Sequence, residues 1–556
     1  MKKFLLAFVI LSFTLTAGVL KFDHYYPYEE VVQAVKKLKS TYPEFVSIKV
    51  IGKSTEGRDI WLIKINNPKT GDEFSKPAMY VEGNIHGNEI QGGETCLYLA
   101  DYLLSNYGKI KKVRELVDRV VFYIVPVLNV DGRYHFFHDP ATPDDFRGIS
   151  VKKDDDGDGL VDEDPSEDLD GDGNIVMMVK KVKGGRFVFD KEDPRILRPA
   201  KPDEIGEYQI IGDEGIDNDG DGLFNEDGYG YYDPNRSWGF NWQPPYVQMG
   251  AGKYPFDIPE TRAVAEFLKT HPNIMGFQDF HNFGGWILRG PGAPNVRYHY
   301  ADVKVYDYIG NIGEKILPGY KYVVSWKGLY TTYGASDDFA YGTFGIFSFT
   351  NEEWKLQQDF NGDGKVSDKE RMMWNDYILN GANFVNWHKF NHPQLGEILL
   401  GGWKKFSRRL PPVFMLPELI HRNAEFVIFH ASQLPDVKID EVKVEKLKNK
   451  IFRVTATIMN EAAIPTRSSW PVTKKIGRPD YAKIEGVKVI TGGILQSPFN
   501  SSQLKVQEKL PWKIWIDQVP GKGAVRVQWL VEGKGKAKIT FNSQKGGKLT
   551  KEIEIK

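Results

Sequence analysis

One cysteine, Cys96, in 556 residues leaves no disulfide within the chain. It falls in the helix-like stretch Gln91 to Ser105 and reads as a small buried residue, because no base for a nucleophilic thiol lies nearby. Charge of one sign is lacking as well. The 73 Lys and Arg against 74 Asp and Glu leave a net charge of -1, which excludes a global basic field for nucleic acid. Beyond the N-terminus no apolar run approaches the roughly 20 residues that a membrane-spanning helix needs. Disorder is excluded by the 41% hydrophobic and 13% aromatic content.

What is present begins with Met1-Lys2-Lys3, an apolar run from Phe4 to about Leu15, and the small residues Thr16-Ala17-Gly18. A positive start, a short apolar core and small residues at the exit make a secretory signal, cut near Ala17 or Gly18. This predicts a secreted, periplasmic or cell-surface protein with no transmembrane segment once the signal is gone. A secreted chain without disulfides needs another staple.

Strand-like and helix-like stretches alternate from Tyr28 onward. Helical spacing covers Tyr28 to Leu38, Gln91 to Ser105 and Ile258 to Leu268. Apolar strands cover Phe45 to Ile51, Ile60 to Ile65, Pro77 to Glu82, Val120 to Leu128, Asn273 to Phe280 and Gly345 to Thr350. This alternation predicts an α/β domain over 19–394, with its chemistry in loops at strand ends. Residues 140–230, crowded with Asp and Gly, are an insertion. Beyond His392-Pro393, short strands separated by turns predict an all-β sandwich over 395–556, including a strand at Glu425 to Phe429.

The insertion repeats itself: Asp154-Asp-Asp-Gly-Asp-Gly-Leu-Val-Asp-Glu-Asp164 recurs from Asp217 to Asp227. Alternating carboxylates followed by glycine wrap oxygens around a hard cation. The twelve-residue loop starting at Asp359 carries Asn361, Asp363, Ser367 and Glu370 at the ligand positions, with Lys365 offering its carbonyl, and predicts calcium. Asp154/Asp156/Asp158/Asp162 and Asp217/Asp219/Asp221/Asn225 make incomplete versions, and a third starts at Asp168. Calcium there would stabilise the fold by mass action.

His86 and Glu89, three residues apart after an apolar strand, can reach one zinc ion, and such a catalytic site needs a third ligand and an open position. Among eleven histidines, His281 ends an apolar strand, while His135 and His138 are rivals by spacing. Downstream stand Asn129-Val-Asp131-Gly, Asp233-Pro-Asn235-Arg236, Asp279-Phe-His281 and Tyr330…Ser336-Asp337-Asp338-Phe339…Thr350-Asn351-Glu352. In this order the motifs resemble the zinc metallocarboxypeptidases that include carboxypeptidases A, B and T, over about residues 26–390.

The resemblance implies a mixed eight-stranded sheet flanked by helices, and release of single residues from peptide C-termini. It implies His86, Glu89 and His281 as zinc ligands. It selects Glu352 over the adjacent Glu353 as general base. Arg147 would stabilise the oxyanion, Asn235 and Arg236 would bind the terminal carboxylate, and Tyr330 would close over the substrate, with Tyr333 as fallback. Asp337 falls where carboxypeptidase B favours basic side chains. Val130 and Ser237 depart from the family's usual Pro and Asn. No long segment separates the signal from Tyr26, so activity without proteolytic activation is expected. Two other readings are open: a zinc amidase or deacylase acting on peptidoglycan stems or N-acyl amino acids, and a noncatalytic calcium-dependent adhesion protein. The physiological substrate and the oligomeric state are not legible.

Overall fold

A computed structural model describes residues 18–152, 154, 159, 161–225, 231–355, 358–497 and 503–556. At its centre is an eight-stranded sheet in the order 46–53, 59–65, 121–125, 78–83, 274–282, 347–353, 286–289, 321–324. The four strands from 121–125 to 347–353 run parallel to their neighbours. The first two strands are antiparallel, as is the pairing of 347–353 with 286–289. The expected mixed eight-stranded α/β sheet is present.

Its parallel strands are buried along nearly their whole length, as parallel strands covered on both faces must be. The helices Tyr28–Thr41, Gln91–Asn106, Pro259–Thr270 and Tyr300–Ile316 supply that cover. Cys96 lies inside this core, fully buried, and burial pushes its thiol well above the ordinary range.

Leu416–Ser432 is a 17-residue helix packed on the same core through Ala424, Phe426, Val427 and Ile428. The expected strand at Glu425 to Phe429 is therefore wrong. A short apolar run does not separate buried helix from buried strand, and here tertiary packing decides. The two C-terminal sheets begin at Val437 and have five and four strands, with their own core around Trp529, Phe541 and Ile484.

The insertion is a further β layer. Strands 177–181, 208–213, 187–189 and 197–199 continue the hairpin 384–392/396–403 into one six-stranded sheet. No described helix is long and apolar enough to cross a membrane.

Candidate metal centre and active-site pocket

Three parallel strands, 78–83, 274–282 and 347–353, end at one edge of the sheet, and register places His281 beside Glu352. The first strand passes into a tight loop at Asn84, whose φ of 57° lies in the left-handed region. The Asn84 side-chain amide donates to the carbonyls of His86 and Gly87, and Arg133 donates to its Oδ1 at 2.9 Å. This buried clamp turns His86 and Glu89 back toward His281.

The three side chains converge. His86 Nδ1 lies 3.0 Å from Glu89 Oε2 and 3.0 Å from His281 Nδ1, and His281 Nδ1 lies 3.1 Å from Glu89 Oε2. All three residues are buried. Two ligands about 2.1 Å from a tetrahedral centre sit roughly 3.4 Å apart, so the spacing fits one metal ion. Each outer nitrogen is fixed: His86 Nε2 is 3.0 Å from Asp233 Oδ1, and His281 Nε2 is 2.9 Å from Asp279 Oδ2. Donation of Nε2–H to these carboxylates leaves both Nδ1 lone pairs facing inward. Two nitrogens, one carboxylate oxygen and room for a fourth ligand suit zinc.

Asp233 and Asp279 carried no expected role, although both stood inside the recognised motifs. Asp279 and His281 are two apart on one strand and therefore share a face. Ser336 donates to Asp279 at 2.9 Å, and Asn235 accepts from Ser336 N at 2.9 Å. Burial opposes ionisation of Asp233, but Arg236, His86 and Arg147 overcome it and hold the carboxyl well below its usual range. Burial likewise opposes the charge on Glu89, and His86 with Arg147 keeps it ionised. Burial lowers the His281 pKa, but Asp279 and Glu89 outweigh it and raise it well above the ordinary value.

A proton on His281 Nδ1 competes with metal for the same lone pair. Zinc affinity is expected to rise about tenfold per pH unit in the range where one proton is released per ion. Equilibrium dialysis between pH 5 and 8 checks this, and a flat profile contradicts it.

A pocket opens over the cluster, lined by His86, Arg147, Asn235, Arg236, His281, Leu288, Tyr330, Asp337, Thr350 and Glu352. Every residue expected around zinc and substrate is therefore in one place. Glu352 and Glu353 project to opposite faces, as successive strand residues do. Glu352 lines the pocket, whereas Glu353 is buried behind the strand and accepts from Thr95 Oγ1 at 2.7 Å. Burial pushes Glu352 up to about 7 against the opposing pull of His281. Tyr330 is 55% exposed at the rim, while Tyr333 is tied by its backbone to Gln248. Asp338 is fully used by Tyr298 and Gly292 N, which leaves Asp337 as the carboxyl facing the pocket. His135 and His138 lie elsewhere, paired with Glu56, Asp139 and Glu29.

Arg147 pairs with Glu89 Oε1, the oxygen turned away from the two imidazoles. Arg409, also unexpected, approaches the same oxygen at 3.8 Å and is held by Asp144 at 2.6 Å. It arrives from the segment after strand 396–403, far away in sequence, and no local signal marks it. Beyond Arg147 lies a groove of about 300 Å³ lined by Asp144, Phe146, Tyr231 and Met249, with Ser166 and Ile175 from the insertion.

The acidic loops share one pattern of hydrogen bonds. In the 359 loop, Asp359 accepts from the backbone of Gly362, Asp363 and Gly364, while Glu370 Oε1 accepts from Phe360 and Asn361, and its Oε2 from Ser367. In the 168 loop, Asp168 accepts from Gly171, Asp172 and Gly173. Its closing carboxylate is Glu214, from the bend just after strand 208–213: Oε1 accepts from Leu169 and Asp170, and Oε2 from Val176. In the 217 loop the closing carboxylate is Asp164, which accepts from Asn218 and Asn225.

Ligand atoms of Asp168, Asp170 and Glu214 lie within 4.8 Å of one another, as do those of Asp164, Asp217 and Asp219. These loops look incomplete in sequence because each borrows its last acid from elsewhere. The Asn225 amide donates to Asp213 O at 2.7 Å. Asp154 repeats one bond of the pattern, to Gly159 at 3.1 Å, whereas Asp156 and Asp158 lie outside the described residues.

Two further expected calcium ligands are Asp221 and Asp162. Asp221 Oδ1 accepts from Leu223 N at 2.6 Å, and Asp221 N donates to Asp219 Oδ1 at 3.0 Å. Asp363 makes the same pair in the 359 loop, accepting from Lys365 N at 2.8 Å and donating to Asn361 Oδ1 at 2.8 Å. Asp162 was expected to complete the 154 loop. Its backbone turns there with φ at 55°, and the acid that joins a cluster is Asp164, two residues on. Asp164 thus serves the 217 loop.

A His–Glu–His cluster at the carboxyl edge of a parallel sheet defines the metallohydrolase class of site. The zinc carboxypeptidase family profile matches residues 31–147 and 224–370, breaking at the insertion, and a domain of unknown function matches 436–554. The chain belongs to the zinc metallocarboxypeptidase family.

Carboxypeptidase D of Anas platyrhynchos and of Homo sapiens is 38% identical over 109 residues in each case, 20% of this chain and 8% of theirs. A protein named inactive metallocarboxypeptidase ECM14, from Ajellomyces capsulatus, is 32% identical over 111 residues, 20% of this chain and 19% of its own. The chain thus spans a small part of the curated relatives it matches. Among solved structures, thrombin activatable fibrinolysis inhibitor covers 74% of this chain and 77% of its own, with TM-score 0.45 and 18% identity. Carboxypeptidase A of Helicoverpa armigera covers 61% and 67%, with TM-score 0.41 and 20% identity.

Proposed function

We propose that this chain is a secreted zinc carboxypeptidase that releases single residues from peptide C-termini. The observation that carries this is the convergence, in one pocket, of a three-ligand metal cluster, a buried carboxylate and three groups able to hold a carboxylate or an oxyanion.

When bound, zinc polarises the scissile carbonyl and brings the pKa of a water toward about 7. Glu352 takes a proton from that water at its pocket-facing carboxylate and later gives it to the departing amine. Asn235 and Arg236 grip the substrate's terminal carboxylate, which restricts attack to the last peptide bond. Arg147 stabilises negative charge growing on the carbonyl oxygen. Tyr330, at the rim, covers the bound residue.

Asp337 would select Lys or Arg at the substrate terminus. Burial, then Asp338, pushes its carboxyl up to about 8, and a bound cationic side chain favours the ionised form. Asp337→Asn is expected to lower kcat/KM about 10²-fold on Arg- and Lys-ending peptides and to leave Phe-ending peptides unchanged. Equal losses on all peptides would remove Asp337 as selector. Calcium in the 359, 168 and 217 loops would be structural, holding the insertion against the hairpin 384–403.

The reading is tested with blocked dipeptides ending in Arg, Lys, Phe, Leu or Glu, on protein stripped of zinc and reloaded. Zinc-dependent release of the terminal residue is expected. Zinc uptake without any release would overturn the peptidase reading and favour an N-acyl amino acid or peptidoglycan-stem substrate.

A further inference from the structure

Asp101 is a buried carboxylate, 3% exposed, on the helix Gln91–Asn106. Its oxygens accept three hydrogen bonds from neutral groups: Val19 N to Oδ1 at 3.0 Å, Leu20 N to Oδ2 at 3.0 Å, and Ser105 Oγ to Oδ1 at 3.0 Å. Among the described residues no Lys, Arg or His forms an ion pair with it. A buried carboxylate without a counter-charge is costly, and proteins normally pair it. Gly18 sits directly against the same carboxylate, where a Cβ would lie 1.9 Å from Oδ2. The chain therefore leads its backbone, at a residue without a side chain, onto an acid that lacks a cation. The bond that follows, Gly18–Val19, ends the stretch Thr16-Ala17-Gly18, whose first and last residues are small, as a signal-processing protease requires.

We propose that hydrolysis of the Gly18–Val19 bond creates the missing cation, so that the α-ammonium of Val19 becomes the buried partner of Asp101. Water adds across the peptide bond, with its hydroxyl going to the Gly18 carbonyl carbon and a hydrogen to the Val19 nitrogen. That nitrogen, an amide carrying one hydrogen and no charge before the cut, becomes an amine that takes up a further proton at neutral pH. It already lies at hydrogen-bond distance from Oδ1, so no rearrangement is needed. The catalyst is a leader-peptide protease of the secreting cell, acting before the chain folds. Processing thus completes the fold as well as releasing the protein. Asp101 reads a correctly cut N-terminus, since an uncut chain brings only a neutral amide to the same place.

The test uses the full-length chain exported with its own leader. Intact mass and N-terminal sequencing are expected to give Val19 as the first residue, and any other start overturns the proposal. The second measurement is a thermal cycle at pH 7. Asp101→Asn is made in the chain beginning at Val19 and in one carrying Met-Gly before Val19. The substitution is expected to lower the Tm more in the Val19 chain, by on the order of 2–4 °C beyond its effect in the extended chain. Ser105→Ala, which removes a neutral partner of the same carboxylate, should act equally in both chains. Equal losses from Asp101→Asn in the two chains would overturn the pairing. This outcome is independent of peptidase activity.

Discussion

Glu352→Gln should cut kcat on a blocked dipeptide by about 10²–10⁴-fold while one zinc per chain is retained. The amide fills the same space and leaves His86, Glu89 and His281 untouched, so metal content separates loss of the base from loss of the site. Glu353→Gln is the informative neighbour. Its side chain faces away from the pocket and is bonded to Thr95, so it should change stability and leave kcat within a few-fold. If Glu353→Gln abolished turnover and Glu352→Gln did not, the assignment of the two faces would be reversed.

The pH profile follows from the same group. A general base acts ionised, so kcat/KM falls as pH drops through its pKa. Burial places Glu352 at about 7, and the charge of a bound cation pulls it lower. The acid limb therefore belongs below pH 7 and should vanish in Glu352→Gln.

Much of this arrangement was legible because the chemistry sits at strand ends. A buried strand announces itself by composition, and the residues just past it, His86, Glu89, His281 and Glu352, are placed by the sheet rather than by long loops. The groups that orient them were harder to see. Asp279 follows from strand alternation once His281 is accepted, and Asp233 from its place beside Asn235, yet neither was given a role. Arg409 was out of reach: it comes to Glu89 from beyond the hairpin 384–403, and nothing local ties an arginine there to the metal loop. The helix Leu416–Ser432 has a solvent side at helical spacing in Glu418, His421, Arg422 and Glu425, but the five residues Glu425 to Phe429 taken alone span little more than one turn and cannot show that period. Glu214 and Asp164 show the same limit. A twelve-residue motif is visible only when its closing acid is on the same segment, as Glu370 is. Spacing points to Asp162 and Asp221, whereas only the packing of separate segments brings Asp164 and Glu214 to the clusters they join.

That distinction yields the second large expectation, in stability. Chelating calcium should lower the Tm by about 10 °C or more, since each site held at a hundred times its Kd adds about 2.7 kcal/mol and three loops share the pattern. Glu214→Gln decides whether the borrowed acid belongs to a site. Glu214 is wholly buried, and burial, with backbone donors opposing it, pushes its carboxyl up to about 7. Without calcium, ionising it near neutral pH is costly, so the neutral variant should be no less stable than the parent in chelator. With calcium the order should reverse, the variant losing one site's increment while Glu370→Gln loses another independently. A Glu214→Gln chain destabilised equally with and without calcium would make Glu214 merely a brace for the backbone of residues 169–176. The reversal would instead mean that the ion joins the strand Tyr208–Asp213 to the 168 loop, whose flanks, Ser166 and Ile175, reach the groove beyond Arg147. Calcium would then also govern how longer peptides sit, raising KM for them on removal before the chemistry at Glu352 is lost.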